Sequence, residues 1–542
     1  MNVERIKLLK QRLDEFITDG HSLGGAVSGI VKGRKYRFTS GWQDFEKTKK
    51  FTSKTIIRQA SDTKLMATVA FMKLVENGRI TGKENLSDYI PEFANVKVID
   101  VFFPPEPVDG EMKIVGDKGW ITVDLELQIG DTIGIQGWLG SDPASVNKQH
   151  VIVDIVDGQY IIDVLPDVTV SLPVKVVKLA EGVLSITNGT QYGYYTLVPL
   201  DRPVSIWHIL TGTIGYLYNI LSVGGLVFGY ANATNDPVRI AKSFIQGQMI
   251  AEKQILMGWP SAGVPYADDN LDQWTRRLTE IPLLFQPGTD WVYGPSINIL
   301  GDLIEKIDGR SFEQYFKEEL TDPLGMEDTG FFIHLDNPRR DEMISRIQPL
   351  YLVPAPHVFI PANIVFLPGF DAWFYGAEQP MTLPLAAGGS YSTLADREKF
   401  YAMLLNNGRL PDCSYYISPA LLSLISETHI RDLVTLPELP PTKEFKWGIG
   451  TGIATGSDGI YPFAGQSKRS MYWSGAFGTM SLVDLANESN VQVVNNIVYH
   501  LYAPLPAIQD KLVAIHMTAL CGVSANDSNA ISNPSGTVAM YK

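Results

Sequence analysis

Cysteine is nearly absent from this chain: Cys413 and Cys521 are the two copies in 542 residues. Two thiols build neither a disulfide framework nor a cysteine-based metal centre, and whether they pair is left open by their spacing. Histidine is also scarce, with eight copies and no His-x-x-x-His pair, so the helical zinc-hydrolase signature is missing. No glycine-rich phosphate loop occurs, and no metal or cofactor is expected. Positive charge is in deficit, 45 Lys and Arg against 59 Asp and Glu, a formal net charge of −14. Basic residues adjoin only in short runs such as Lys49-Lys50, Arg276-Arg277 and Arg339-Arg340, which argues against a nucleic-acid partner because phosphate binding needs a basic surface. Long apolar runs are missing as well. The stretch from Tyr216 to Phe228 is interrupted by Asn219, Ser222, Gly224 and Gly225 and falls short of the roughly 20 residues a membrane span needs, so no membrane partner is expected. The first residues, MNVERIKLLKQRLDEF, carry charges throughout, unlike a signal-peptide core. Ile6, Leu9, Leu13, Phe16 and Ile17 describe an amphipathic helix instead. The expectation is a cytoplasmic protein, with a processed secreted form as the alternative.

What is present is a well-packed composition, 45% hydrophobic and 10% aromatic, in a length that predicts two or three structural units. Gly25–Val31 and Lys35–Ser40, joined around Lys32-Gly33-Arg34, read as a β-hairpin. From Val101 to about Leu200 the chain turns Val/Ile-rich in short runs, Trp120–Ile129, Thr132–Trp138, His150–Ile155 and Tyr160–Val164. That regular spacing predicts an inserted all-β module over 100–202. Residues 203–430 read as largely helical, at Ile297–Ile307, Phe312–Leu320 and Asp396–Asn407 among others. Strand pattern returns at Phe445–Ala454, Arg469–Phe477, Thr479–Leu485 and Val491–Val498, and a last helix is expected at about Pro506–Leu520. The reading is α+β: a discontinuous domain of residues 1–99 and 203–522, the module at 100–202, and a polar tail at 523–542.

The most informative tetrad is Ser61-Asp62-Thr63-Lys64, at the head of an apolar segment through Leu65, Met66, Val69, Met72 and Leu74 that stops at Asn77-Gly78. The pattern predicts one buried amphipathic helix. Residues i and i+3 share a helix face, about 5–6 Å apart at Cβ. A lysine desolvated there loses proton affinity and can serve as a base towards the serine. The helix N-terminus supplies N–H groups for developing negative charge. A capping serine beside an ordinary surface lysine would give the same letters. A second copy, Ser145-Val146-Asn147-Lys148, sits in a polar turn stretch and reads as chance.

Two further parts are needed, a proton relay and a pair of oxyanion donors. Tyr293, in Trp291-Val292-Tyr293-Gly294-Pro295-Ser296, is the candidate relay; a buried aromatic in a helix-entry loop is the plainer account. Tyr472-Trp473-Ser474-Gly475-Ala476-Phe477-Gly478-Thr479, read as a glycine-interrupted strand, is the candidate oxyanion piece; a strand kink is the plainer account.

In order and context these pieces resemble the serine β-lactamase/penicillin-binding-protein superfamily, and within it the esterases related to class C β-lactamases. Besides the tetrad, Trp207–Gly215 looks like that family's "HLLTHTSG" segment and Tyr293–Gly301 like its "YSxxxxxLG". Asp322–Phe331 is close to "DPLGMxDTxF", Ala387–Asp396 resembles "GGxxSTxxD", and Trp473–Thr479 occupies the place of the third motif. Residues 100–202 have no recognised counterpart. The resemblance implies a β-lactamase/transpeptidase-like fold, an antiparallel sheet flanked by helices plus a helical domain. It implies Ser61 as nucleophile, Lys64 as its base, Tyr293 as partner acid/base, and the backbone N–H groups of Ser61 and Ala476 as the oxyanion hole.

Departures from the family pattern refine the substrate. Trp473-Ser474-Gly475 stands where β-lactamases carry Lys-Thr-Gly, and Pro295 stands where the second motif often ends in Asn. Both remove polar contacts to a β-lactam, so Trp473, Ser474, Gly475 and Pro295 are expected to face an uncharged, largely apolar ester. An amidase or D-aminopeptidase-type activity, or a transesterase, is the alternative of the same chemistry. A non-catalytic binding relative that uses the β insert is the alternative of another class. The partner expected is a small ester or amide, with a homo-oligomer left open. The insert is expected either to flank the cleft, to form an oligomer contact, or to be a neutral appendage. Aromatic Trp373, Phe374 and Tyr375 fit an apolar substrate. Gly20-His21-Ser22-Leu23-Gly24 matches Gly-x-Ser-x-Gly formally, but a helix before it and a strand after it invert the nucleophile-elbow context.

Overall fold

The computed structural model describes residues 2–102, 107–139, 146–164, 171–180, 183–187, 192–218, 237–252, 270–361, 383–430, 445–455 and 466–497, with Leu512, Ile515 and His516. The predicted tail 523–542, Cys521, most of the helix expected at Pro506–Leu520, and Trp373, Phe374 and Tyr375 lie outside the described residues.

Strands from the two ends of the chain join in one antiparallel sheet. Its order is Phe445–Trp447, Gly452–Ala454, Met471–Gly475, Thr479–Asp484, Ser489–Val494, Gly24–Val31, Arg34–Gly41. The last two strands form the expected hairpin, closed by Lys32 and Gly33 with φ of 47° and 76°. Two successive positive φ values give the twist that a two-residue hairpin needs. Alternation along the central strands divides the sheet's faces. Val27, Val31, Val491 and Val493 pack with Leu9, Leu13 and Phe16 of the helix Val3–Thr18. Ala26 and Val494 join Leu394 on the opposite face, where the helix Leu394–Leu405 lies.

The helix Thr63–Glu76 differs from its expected amphipathic form. Every residue from Thr63 to Met72 is buried, as is Leu74. It is a central helix, enclosed by Asn298–Asp308 and the 317–321 turn among others, and a helix wrapped on all sides needs no polar face. The region 203–430 is less uniformly helical than its sequence suggests. Tyr351–Ala355 pairs with Val358–Pro361, and Tyr391–Thr393 pairs with Ile56–Arg58. The helix expected over Phe312–Leu320 runs as α-helix to Phe316 and widens into a π turn over Lys317–Thr321.

Residues 98–198 build two further sheets. Seven antiparallel strands run in the order Gln149–Val151, Thr132–Gln136, Ser171–Leu179, Val108–Val115, Lys118–Val123, Gln159–Asp163, Asp154–Val156. They enclose their own core of Met112, Ile121, Ile133, Ile135, Trp138 and Ile162. The strand expected at Trp120–Ile129 ends at Val123, and Leu127 then turns into that core. A three-stranded sheet, Leu184–Thr187, Tyr192–Val198, Val98–Phe102, brings the two ends of this region side by side. The helix Pro237–Glu252 packs on it through Ile245, with Ile99 and Tyr195. Among the described residues no helix is long and apolar enough to cross a membrane.

Candidate active site

Ser61 lies in a one-turn 3-10 segment, Ala60–Asp62, that leads directly into the central helix. Ala60 is buried with a φ of 47°, a left-handed conformation that costs a non-glycine residue free energy and needs the surroundings to hold it. Lys64 follows one turn later, 1% exposed, with its Nζ 3.2 Å from Ser61 Oγ. The amine also donates to the phenol oxygen of Tyr218 at 2.9 Å and to the carbonyl of Ala387 at 2.5 Å. Burial drives its proton affinity well below that of an ordinary lysine, while the Asp62 carboxylate acts in the opposite sense.

Tyr293 completes the cluster by donating its phenol to Ser61 Oγ at 2.8 Å. The Trp473 indole N–H donates in turn to the Tyr293 oxygen at 3.1 Å. Burial raises the Tyr293 phenol to about 12, against the lowering effect of its bonds to Ser61 and Trp473. Burial, with Tyr293 alongside, also holds Tyr218 well above the usual tyrosine value. Both phenols therefore keep their protons at neutral pH. Gly294 makes this approach of two tyrosines possible. A Cβ there would lie 1.8 Å from the Tyr216 carbonyl, whereas glycine lets the Tyr218 N–H reach the Tyr293 carbonyl at 3.3 Å.

The expected oxyanion piece is a hairpin rather than one interrupted strand: Met471–Gly475 and Thr479–Asp484 flank a turn over 476–478. Ala476 opens that turn. The hairpin is fastened to the segment that leads into Ser61, because Thr479 Oγ1 donates to the Gln59 carbonyl at 2.8 Å. Gly475 is required there, since a Cβ would stand 2.2 Å from the same carbonyl. Trp473, Ser474 and Ala476 are half-buried, as are Ser61 and Tyr293, and so present surface to a ligand. Pro295 is different. It is buried at the first position of the turn over Pro295–Ile297, so its ring shapes the passage of the Tyr293 loop into the helix Asn298–Asp308 and offers little surface.

Three contributors escaped the sequence reading. Tyr218 lies in a stretch read only for its hydropathy. Ala387 and Asn298 sit inside noticed segments without being singled out; the Asn298 side chain accepts the Ala387 N–H at 2.6 Å and so fixes the carbonyl that meets Lys64. Aromatic rings pack around Tyr293. The ring centroids of Trp473 and Trp447 are 4.7 Å apart, and Tyr293 lies 5.1 Å from Trp473 and 5.1 Å from Tyr218. Ser22, the formal elbow serine, is 2% exposed and donates to the Gly24 carbonyl at 3.0 Å. Cys413 is exposed.

The family model described as Beta-lactamase matches residues 9–101 and 200–514, more than half of the chain. Protein Rv1367c of Mycobacterium tuberculosis (strain ATCC 25618 / H37Rv) is 26% identical over 217 residues, covering 38% of this chain and 49% of that protein. The chain thus spans about half the length of that relative. Esterase EstB of Burkholderia gladioli is 25% identical over 324 residues, covering 57% of this chain and 70% of EstB. Among solved structures, EstCE1, "a hydrolase with promiscuous acyltransferase activity", superimposes with a TM-score of 0.59 at 17% identity, over 96% of this chain and 98% of that one, and so shares the fold.

Proposed function

The chain belongs to the Beta-lactamase family, and on that premise we propose that it is a serine hydrolase acting through an acyl-enzyme at Ser61, as a carboxylesterase on uncharged, largely apolar esters. Its α+β fold is the β-lactamase/transpeptidase-like one. The observation that carries the proposal is the junction at Ser61 Oγ, where the Tyr293 phenol at 2.8 Å and the Lys64 amine at 3.2 Å meet. A neutral amine has two N–H groups and one lone pair. The Ala387 carbonyl can only accept, and Tyr218 takes the second N–H, which leaves the lone pair for the Ser61 proton.

In acylation Lys64 takes the Ser61 proton as Oγ bonds to the ester carbonyl carbon. The backbone N–H groups of Ser61 and Ala476 are the donors for the oxyanion. As the carbon–oxygen bond to the alcohol breaks, Tyr293 protonates the departing oxygen, and the proton held on Lys64 restores the phenol. Water then attacks the acyl-enzyme by the same steps in reverse. Esters are favoured over amides because an alcohol leaves with less protonation than an amine.

The substrate class rests on the partly exposed groups near Ser61. Among the described residues, Tyr293, Trp473, Ser474 and Ala476 are half-buried as Ser61 is, and none of these four is a cation for a substrate carboxylate. Esterase EstB as a relative supports the same reading. The test is turnover of p-nitrophenyl butyrate, D-alanine p-nitroanilide and nitrocefin by wild type and Ser61→Ala. Ester turnover lost in Ser61→Ala, with little nitrocefin cleavage, is the expected result. Faster anilide than ester turnover would replace esterase by amidase, and no turnover of any would favour a binding role.

A further inference from the structure

The nucleophile turn is held from behind by a guanidinium that no step above uses. Arg397, from the helix Leu394–Leu405, has no solvent exposure, and neither has Gln59, while Asp62 is 1% exposed. One terminal nitrogen of Arg397 donates to Gln59 Oε1 at 2.6 Å and the other to Asp62 Oδ2 at 2.7 Å. Gln59 and Asp62 are the residues on either side of Ala60-Ser61. The second oxygen of Asp62 accepts from Ser481 at 2.9 Å, and Ser481 accepts from Tyr401 at 2.7 Å. Gln59 is fixed further by its side-chain amide on Ser390 at 2.9 Å and by its carbonyl, which accepts from Thr479 at 2.8 Å.

A buried guanidinium is costly to desolvate unless its geometry and partners compensate, and a helix packed on this sheet could use an apolar residue instead. The fork spans a segment in which a buried non-glycine residue is in the left-handed region, Ala60 with φ of 47°. Such a conformation persists only when neighbouring contacts over-determine it. We infer that Arg397 is a positioning residue. Its fork clamps Gln59 and Asp62, holds the strained Ala60-Ser61 turn between them, and so fixes the Ser61 hydroxyl and N–H relative to the Thr479-anchored hairpin that carries Ala476. The inference rests on Ser61 being the nucleophile. Arg397 touches neither substrate nor the reacting atoms; it acts through the backbone of residues 59–62.

Two variants test the clamp from opposite ends, with p-nitrophenyl butyrate as substrate. Arg397→Lys keeps the charge and loses the fork, while Gln59→Met cuts one prong and leaves the Asp62–Arg397 pair intact. The expected result, in variants with wild-type circular dichroism, is kcat lowered about 100-fold, the size of effect that a 1 Å misplacement produces. KM is expected to stay within about twofold, since ground-state binding is not altered. In Gln59→Met the acid limb of the pH–rate profile stays where it is, because the surroundings of Lys64 are unchanged. Unaltered kcat in folded Gln59→Met, or a loss confined to KM, would overturn the clamp. Fluorophosphonate labelling of wild type separates the two ideas. An adduct at Ser61 with unaltered variant kinetics removes only the clamp, whereas no adduct at Ser61 removes the nucleophile reading itself.

Discussion

The Lys64 amine meets the Tyr218 phenol oxygen at 2.9 Å, so the proposed base is anchored by a residue that follows the whole 100–202 region in sequence. That anchoring depends on backbone as much as on the side chain. The segment before Tyr218 is held by Gln246, which takes the Leu217 N–H at 2.9 Å and donates to the Gly215 and Pro282 carbonyls at 2.8 Å each. Gln246 belongs to the helix Pro237–Glu252 that packs on the three-stranded sheet. The three-stranded sheet and Tyr218 are thereby connected through one buried amide.

The two tyrosines are predicted to differ in effect. Tyr293→Phe removes the acid/base group in contact with Ser61 and should lower kcat roughly 100- to 10,000-fold. Tyr218→Phe removes only an oxygen that orients Lys64, so kcat should fall about tenfold, near the value of one hydrogen bond to a charged group. Its acid limb should also move to lower pH, because the ammonium loses an acceptor. Steady-state kinetics of the pair, each across pH, checks both statements.

The pH dependence of kcat/KM follows from the two shifts. Lys64 must be neutral to accept the serine proton, and burial lowers its proton affinity well below the ordinary lysine value. Activity is therefore lost as pH falls through that depressed value. Tyr293 must keep its proton and releases it only at about 12. The profile should rise to one plateau and show no basic limb below pH 11, as ester turnover in overlapping buffers would reveal.

Trp473 serves in two ways, as an aromatic surface and as donor to Tyr293 at 3.1 Å. Trp473→Phe keeps the surface and loses the donor, so kcat should fall with KM nearly constant. Trp473→Ala loses both, and KM for an aromatic acyl ester should rise about three- to tenfold, the worth of one aromatic contact. The comparison of kcat and KM between these variants separates the two roles.

Stability should carry an acid signature from His516, which is fully buried between Tyr36, at 2.8 Å from Nδ1, and Ser489, at 2.5 Å from Nε2. Burial lowers its pKa to about 3 from the ordinary 6.5. Below pH 6.5 the unfolded chain binds a proton that the folded chain refuses. The contribution is therefore fully present above pH 6.5 and lost as pH falls towards about 3, with a slope of about 1.4 kcal/mol per pH unit. Urea midpoints measured between pH 7 and 4 should decline accordingly, and less steeply in His516→Gln.

Much of the site was readable because local patterns carried it. Ser61 and Lys64 are one turn apart on a helix whose end, Asn77-Gly78, is written in turn chemistry, and Tyr293 sits at a Gly-Pro helix entry. What sequence withheld depends on long-range placement. Tyr218 becomes a partner of Lys64 only because Gly294 lets two extended segments approach. Arg397 becomes a clamp only because its helix crosses behind residues 59–62. Pro295 was expected to face substrate because of its place in a motif, whereas its burial follows from the turn that it opens. The central helix lacks the polar face of an amphipathic one, since Thr63 and Lys64 turn their polar atoms to internal partners rather than to solvent.

The central claim is that Ser61 is the nucleophile, and intact mass after incubation with a fluorophosphonate tests it most directly. The account predicts a single adduct on wild type, mapped to the peptide containing Ser61 and absent from Ser61→Ala. An adduct that persists in Ser61→Ala, or none on a wild-type protein that still hydrolyses p-nitrophenyl butyrate, would contradict it.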